Sequence, residues 1–498
     1  MLFNSIDFLL FFPLVTIVHF VLPHRVRWIW LLVVSYFFYM CWNPKYVVLI
    51  ALSTVITWLS GLLLERAARQ PDKRRRERQR RLWVGLSVGL NLAILCFFKY
   101  WGFAIDSLAA LLGLAGLPSD GLPRFDVLLP VGISFYTFQA LGYTVDVYRG
   151  ELPAERNLFR YALFVSFFPQ LVAGPIERSP RLLSQLAERH DFDPDHTRDG
   201  LLLMLWGMFE KVVVADRISY LVTHVYGHYQ ELPGIAAVLV MLLFPIQVYC
   251  DFAGYSDIAR GAAEVLGIRL MVNFRQPFFA RSTQEFWRRW HISLSSWFRD
   301  YLYIPLGGSR KGKARQYRNI MITQVTSGLW HGANWTYVIW GALNGIFQVA
   351  GAALSPWRKR VCGRLHISRD CPPVKVLSMA FISFLYAVSM VFFRAPGVRT
   401  ALSFFKRMVL HLEPFGLRGE ALYSIGLAKP HFQVLLWALL VLLVGDILKE
   451  RLGEVRPRLT RLPLPVRWAV YLAGLFAVLL FGMYGPGYSE AQFIYFQF

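Results

Sequence analysis

Residues 46–64 read YVVLIALSTVITWLSGLLL, and residues 65–81 follow directly as ERAARQPDKRRRERQRR. The first stretch is as apolar, and about as long, as the ~20 residues that cross the hydrocarbon core of a bilayer. The second is a basic block of the kind that stays on the cytoplasmic side. Together they describe a chain threaded through a membrane. Working outward, similar apolar runs recur near 6–22, 28–42, 82–101, 127–148, 158–173, 200–223, 235–267, 319–354, 376–394, 431–448 and 466–484. They predict an all-α polytopic membrane protein with about ten to twelve transmembrane helices. The 235–267 and 319–354 runs exceed one straight span, so each must tilt, break or re-enter.

Composition agrees. Of 498 residues, 56% are apolar and only 17% charged, against about 45–50% and about 25% in soluble domains. That excludes a secreted globular enzyme, a cytosolic oxidoreductase and a disordered scaffold. Lys plus Arg number 53 against 31 for Asp plus Glu, a net charge of +22. In a soluble protein this excess would suggest nucleic acid. Here it gathers in short loops between apolar runs, so membrane topology explains it and no nucleic-acid partner is expected. Cys41, Cys96, Cys250, Cys362 and Cys371 are scattered without a C-x-x-C pair, so neither a disulfide framework nor a metal site is expected. Met1 to Leu22 carries Asp7 early and ends at Pro23-His24, unlike a cleavable signal.

Orientation follows from the basic segments. A hairpin of 28–42 and 46–64 turning at Asn43-Pro44 puts His24 to Arg27 on the same side as the 65–81 block, and Met1 outside. The loops 269–318, 358–375 and 451–467 are expected to be cytoplasmic as well. With no repeat and no linker, residues 1–498 read as a single membrane domain.

Three motifs are decoys. Gly85-Leu86-Ser87-Val88-Gly89 matches the hydrolase G-x-S-x-G but lies inside an apolar helix, where small residues are expected to permit helix contact. His190 to Asp195 fits an H-x-x-x-x-D pattern in a polar loop. Asn334-Trp335-Thr336 is a formal glycosylation sequon within an apolar span.

Residues 273–345 differ in kind. Eleven Lys/Arg against two acids, Glu285 and Asp300, lie between Arg269 and Arg318. This is either topology alone or a mouth that gathers a polyanionic donor. Glu285 to Tyr301 has helical periodicity, with Trp290, Leu294, Trp297 and Tyr301 on one stripe and Arg288, Ser295 and Arg299 opposite, as for a helix at the headgroup boundary. His291 falls between the faces, either bridging lipid and water or reaching a pocket. His331 lies about 20 Å past Arg318 along a helix. A His, Asn334, Trp330 and Trp335 at that depth are costly unless they face a cavity or a partner. Helix-to-helix hydrogen bonding is the other reading. Asp251 and Asp257 are read as structural, pairing with Arg260 or Arg275.

These residues become recognisable together. RRWHISLSSWFRDYLYIPLGG, followed by SGLWHGANW, resembles the signature of the membrane-bound O-acyltransferase (MBOAT) superfamily, in its bacterial branch acting on alginate, cellulose and peptidoglycan. LPVGISFYTFQALGYTVDVYRG (129–150), FFPQLVAGPIERSP (167–180), YCDFAGYSDIARG (249–261), FNSIDFLLFFP and the closing FIYFQF extend the resemblance over nearly the whole chain. It implies a ring of tilted helices with interfacial or re-entrant pieces around a central channel, a catalytic core at roughly 127–350, and a place in the bacterial inner membrane. It makes His331 the essential histidine and His291 the second motif residue.

The implied chemistry is transfer of an acetyl group from a cytoplasmic activated donor to an extracytoplasmic acceptor, O-acetylating an exported or cell-surface polysaccharide. Acetyl-CoA or a similar thioester would be the donor substrate, with no bound cofactor and no metal. Imidazole suits the general base. His331 is expected to take the acceptor proton, Asn334 or backbone amides to steady the oxyanion, and His291 to position a substrate. Trp330, Trp290, Arg288 and Arg289 are candidate substrate contacts. Besides membrane lipid and the glycan, an extracytoplasmic esterase-like acetyltransferase is the expected partner. D-alanyl transfer to a cell-wall polymer is the alternative within the superfamily. A transporter is the alternative outside it, but no inverted halves are visible.

Overall fold

A computed structural model describes residues 1–119, 121–125, 129–368 and 370–484, and all regular secondary structure among them is helical. The closing FIYFQF and the start of the 127–148 run lie outside the described residues. Six of the described helices are long and apolar enough to cross a membrane: Pro44–Ala68, Lys73–Leu114, Gly234–Val265, Pro372–Arg394, Lys429–Leu452 and Leu464–Phe481. Other apolar runs become shorter helices. The 158–173 run gives Leu158–Ser166 and Phe168–Leu171, and nine residues reach only about 14 Å.

Local chemistry sets the boundaries. Asn43 caps the turn into Val47–Ala68, its Oδ1 accepting from the Lys45 amide at 3.0 Å. Asp72 caps the next helix, accepting from the Arg74 amide at 2.8 Å. The basic block is therefore not a loop. Glu65 to Ala68 form the last turn of one helix, and Lys73 to Arg81 form the first turns of the next, which runs through a π-turn at Cys96–Tyr100 to Leu114.

Contacts gather into two compact units, Met1–Gly200 with Ala259–Met271, and Leu201–Ile258 with Val272–Phe498. In the first, polar side chains tie helices together. Ser53 Oγ donates to Asn91 Oδ1 at 2.6 Å, Ser87 Oγ meets Thr144 Oγ1 at 3.1 Å, and Tyr161 OH reaches Thr57 Oγ1 at 2.8 Å. The Gly85-x-Ser87-x-Gly89 motif thus packs through Ser87. Gly85 and Gly89 face open space, contrary to the expectation for small residues there. The His190–Asp195 pattern is also structural: Asp193 caps Pro194–Met208 through the amides of Asp195 and His196, and His190 Nε2 bonds the Gln185 carbonyl at 2.7 Å.

The second unit holds the 273–345 segment. Its core runs from Phe209 and Tyr249 through Trp290 and Trp340 to Tyr386 and Phe393. Gly234–Val265 is one continuous 32-residue helix with Pro245 inside. Its length of about 48 Å exceeds a ~30 Å hydrocarbon core. Asp251 on this helix pairs with a lysine that the sequence did not single out. Lys211 Nζ sits 2.6 Å from Asp251 and 2.8 Å from Asp216, all three buried. Lys211 comes from the π-helical turn Phe209–Ala215, inside the 200–223 apolar run.

Candidate active site

The 319–354 run does not cross as one helix. Lys313–His331 ends at His331, residues 332–334 reverse the chain, and Trp335–Ala353 returns beside it. Small residues allow the close approach: Gly328 abuts the Tyr337 carbonyl, and Gly341 abuts the Gln324 carbonyl. Gly332 lies so near the Tyr337 ring that a Cβ there would collide with it. Asn334 caps the returning helix, its Oδ1 accepting from the Thr336 amide at 3.0 Å, while its Nδ2 donates to the Pro396 carbonyl at 3.1 Å. His331 is therefore the last residue of a helix at a chain reversal, not the middle of a continuous helix. Only 5% of it is exposed.

His291 sits at a second break. The continuous helix expected over Glu285 to Tyr301 is two short helices, Thr283–Arg289 and Ile292–Phe298, followed by a π-turn at Arg299–Tyr303. His291 joins the two short helices with φ 43°, ψ 55°, left-handed backbone that costs a non-glycine residue about 1–2 kcal/mol. Asn273 holds the joint. The Ile292 amide donates to its carbonyl at 2.8 Å, Ser293 Oγ donates to its Oδ1 at 2.6 Å, and its Nδ2 donates to Ser256 Oγ at 2.9 Å. The break turns His291 inward, leaving it 1% exposed. It faces neither lipid nor water.

The two imidazoles meet, ring centroids 6.2 Å apart. Aromatic rings enclose them. Trp340 and Phe393 stand edge-on to His331 at 5.1 and 5.5 Å, Phe252 stands edge-on to His291 at 4.6 Å, and Trp330 lies 5.9 Å from His291. Burial first, and His331 second, push the His291 imidazole well below its ordinary value near 6.5, so the ring is neutral at neutral pH. A neutral imidazole presents one acceptor nitrogen and one N–H, which suits proton transfer or orientation of a hydroxyl.

The remaining candidates separate. Trp330 flanks both histidines. Trp290 is a core anchor, stacked on Phe286 at 5.5 Å and against Tyr386 and Phe274 at 5.0 and 5.1 Å. Arg289 is held by Glu285 at 2.9 Å and Glu450 at 2.7 Å. Arg288 is exposed, as are Arg310, Lys311, Lys313, Arg315 and Arg318. Sequence reasoning missed Asn273, Phe252, Trp340 and Phe393. Trp340 lies within the 273–345 segment and Asn273 opens it, but nothing in their spacing marks them. Phe252 and Phe393 arrive from other helices through tertiary packing alone.

This paired-imidazole site in an all-helical membrane protein falls within a known class. The model of "MBOAT, membrane-bound O-acyltransferase family" matches residues 149–393, which include both histidines. The chain belongs to that family: it is an acyltransferase and a multi-pass protein of the bacterial inner membrane. Among its relatives, "Probable alginate O-acetylase AlgI" of Pseudomonas putida is 41% identical over 410 residues, covering 82% of this chain and 80% of that protein. "Peptidoglycan O-acetyltransferase" of Helicobacter pylori is 32% identical over 430 residues, 81% of this chain and 76% of that protein. "Teichoic acid D-alanyltransferase" of Streptococcus thermophilus is 31% identical over 242 residues, 45% of this chain and 57% of that protein.

Proposed function

We propose that this chain moves an acetyl group from a thioester donor such as acetyl-CoA, on the cytoplasmic side, toward an extracytoplasmic polysaccharide of the alginate class. The observation that carries the reading is the buried His291–His331 pair, 6.2 Å apart within aromatic walls. The hydroxyl of the first acceptor is a weak nucleophile, and a buried imidazole removes its proton as the bond forms. His331 takes the hydroxyl proton while the oxygen attacks the thioester carbonyl carbon. The tetrahedral oxyanion collapses, the carbon–sulfur bond breaks, and His331 returns the proton to the departing thiolate. The products are an O-acetyl ester and the free thiol, with no metal, cofactor or acyl-enzyme required.

His291, neutral and fixed by Asn273, positions donor or acceptor opposite His331. Trp330 bounds the same space. Asn334 is a poor oxyanion donor as it stands, because its amide already serves the Thr336 amide and the Pro396 carbonyl. The Gly332 amide donates to the Gly328 carbonyl at 3.3 Å, so the backbone amides of Ala333 and Asn334 are the better source. The exposed Arg288, Arg310, Lys311, Lys313, Arg315 and Arg318 supply a basic rim for the phosphates of a coenzyme A donor. An extracytoplasmic esterase-like partner completes delivery to the polymer.

The similarity to a teichoic acid D-alanyltransferase keeps D-alanyl transfer as a second reading, supported over less than half the chain. Ester analysis of exported glycans from a deletion strain separates them. Loss of ester-linked acetyl, restored by the wild-type gene, is expected. Loss of esterified D-alanine with acetyl intact favours the second reading, and no change in either overturns both.

A further inference from the structure

Within the first compact unit, apart from both histidines of the reaction, helix ends converge on a cavity of about 250 Å³. His19 comes from the last turn of Ile6–Val21, His24, Arg25 and Trp28 from the first turns of His24–Met40, Arg160 from Leu158–Ser166, and His190 from the loop after Ser179–Ala187. Arg27 braces one wall, its Nε donating to the Leu22 carbonyl at 2.9 Å and its Nη1 to the His190 carbonyl at 2.5 Å. His19 is 3% exposed, and neither ring nitrogen has a hydrogen-bond partner. Arg160 Nε is likewise buried and unpartnered. Glu188 is the one carboxylate in the lining.

A buried polar group without a partner costs about 1–3 kcal/mol. A cavity walled by such donors, by two rim cations and by the start of a helix whose cap residue is Pro23 calls for an anion with several acceptor oxygens. A second observation indicates where that anion is attached. From Arg25 at the rim, Ile29, Val33 and Phe37 follow at four-residue spacing along His24–Met40, and they are 43%, 56% and 50% exposed. This apolar track begins at the cavity mouth.

We propose that the cavity seats the phosphate of an anionic phospholipid, with Arg25 and Arg160 at the rim, His19 at the floor, and an acyl chain lying along the Ile29–Val33–Phe37 track. The phosphate contact is shared with any soluble phosphate, and the track assigns it to lipid.

Full-length protein, purified and delipidated in mild detergent, tests this by native mass spectrometry with equimolar phosphatidylglycerol, phosphatidylcholine and diacylglycerol. Phosphatidylglycerol is expected to be retained most and diacylglycerol least. Arg25→Gln and Arg160→Gln are each expected to lower phosphatidylglycerol affinity about fivefold, which corresponds to about 1 kcal/mol per basic residue at an anionic lipid surface. His19→Phe, which fills the floor, is expected to abolish preferential retention. If that variant does not accumulate, the two rim variants carry the test. Displacement of phosphatidylglycerol by millimolar inorganic phosphate supports the phosphate seat. Binding of inorganic phosphate without lipid retention overturns the lipid assignment, and equal retention of phosphatidylglycerol and diacylglycerol overturns the site.

Discussion

His291 and His331 face each other with ring centroids 6.2 Å apart, and each stands where a helix breaks. Irregular backbone inside a membrane protein is tolerated only where protein or a cavity surrounds it. Here the breaks aim two imidazoles into one aromatic enclosure. The geometry depends on what holds each break in place.

For His291 that support is Asn273. In Asn273→Ala, the Ser293 hydroxyl loses its acceptor at 2.6 Å and Ser256 loses a donor at 2.9 Å. A loss of about 1–3 kcal/mol in stability is expected. Acyl transfer should fall further than that loss explains, because His291 is no longer held in its turn. Thermal unfolding and transfer assays on the same preparation check this, and a variant as active per folded molecule as wild type contradicts it.

The backbone at His291 makes a separate demand. Asparagine tolerates a left-handed conformation, whereas a β-branched residue at positive φ is an outlier. His291→Asn is therefore expected to accumulate in membranes with impaired transfer, and His291→Val to accumulate poorly. Fluorescence-detected size exclusion of both proteins reads the difference.

The same residue gives the protein an acid sensitivity. Its imidazole titrates well below the unfolded value near 6.5 because it is buried and beside His331. The unfolded chain then binds more protons below that pH. This contribution to stability is present in full above about pH 6.5 and fades as the pH falls toward the depressed native value. The stability advantage of wild type over His291→Asn should narrow between pH 7 and pH 5, by up to about 1.4 kcal/mol per pH unit. A constant advantage over that range contradicts the assignment.

Much of this was legible in the sequence, though unevenly. Apolar runs predicted the long helices because bilayer thickness fixes their length. They did not predict the break at His291, since Trp290, Leu294, Trp297 and Tyr301 keep a helical stripe and the turn is set by Asn273 through tertiary contacts. The basic block read as a loop, but the Asp72 cap builds its second half into a helix. Depth along an apolar run and helical periodicity drew attention to the two histidines, and family resemblance assigned their roles. The rings of Phe252 and Phe393 gave no sequence signal, because they reach the site from separate helices.

The basic segments set the orientation expected in the membrane. Single cysteines at Arg76 and Lys313 should react with a membrane-permeant thiol reagent and not with an impermeant one in intact cells. Labelling of either by the impermeant reagent reverses the orientation and moves the donor rim to the other face.

The central claim is that His331 acts as a base. His331→Gln retains hydrogen-bonding capacity but cannot take up a proton at neutral pH, and a general base contributes about 10²–10⁴ in rate. Ester-linked acetyl per sugar should be measured in cells in which this variant accumulates to the wild-type level. The account predicts acetylation at background. Normal acetylation by the well-expressed variant would contradict it and leave His331 a residue of helix packing.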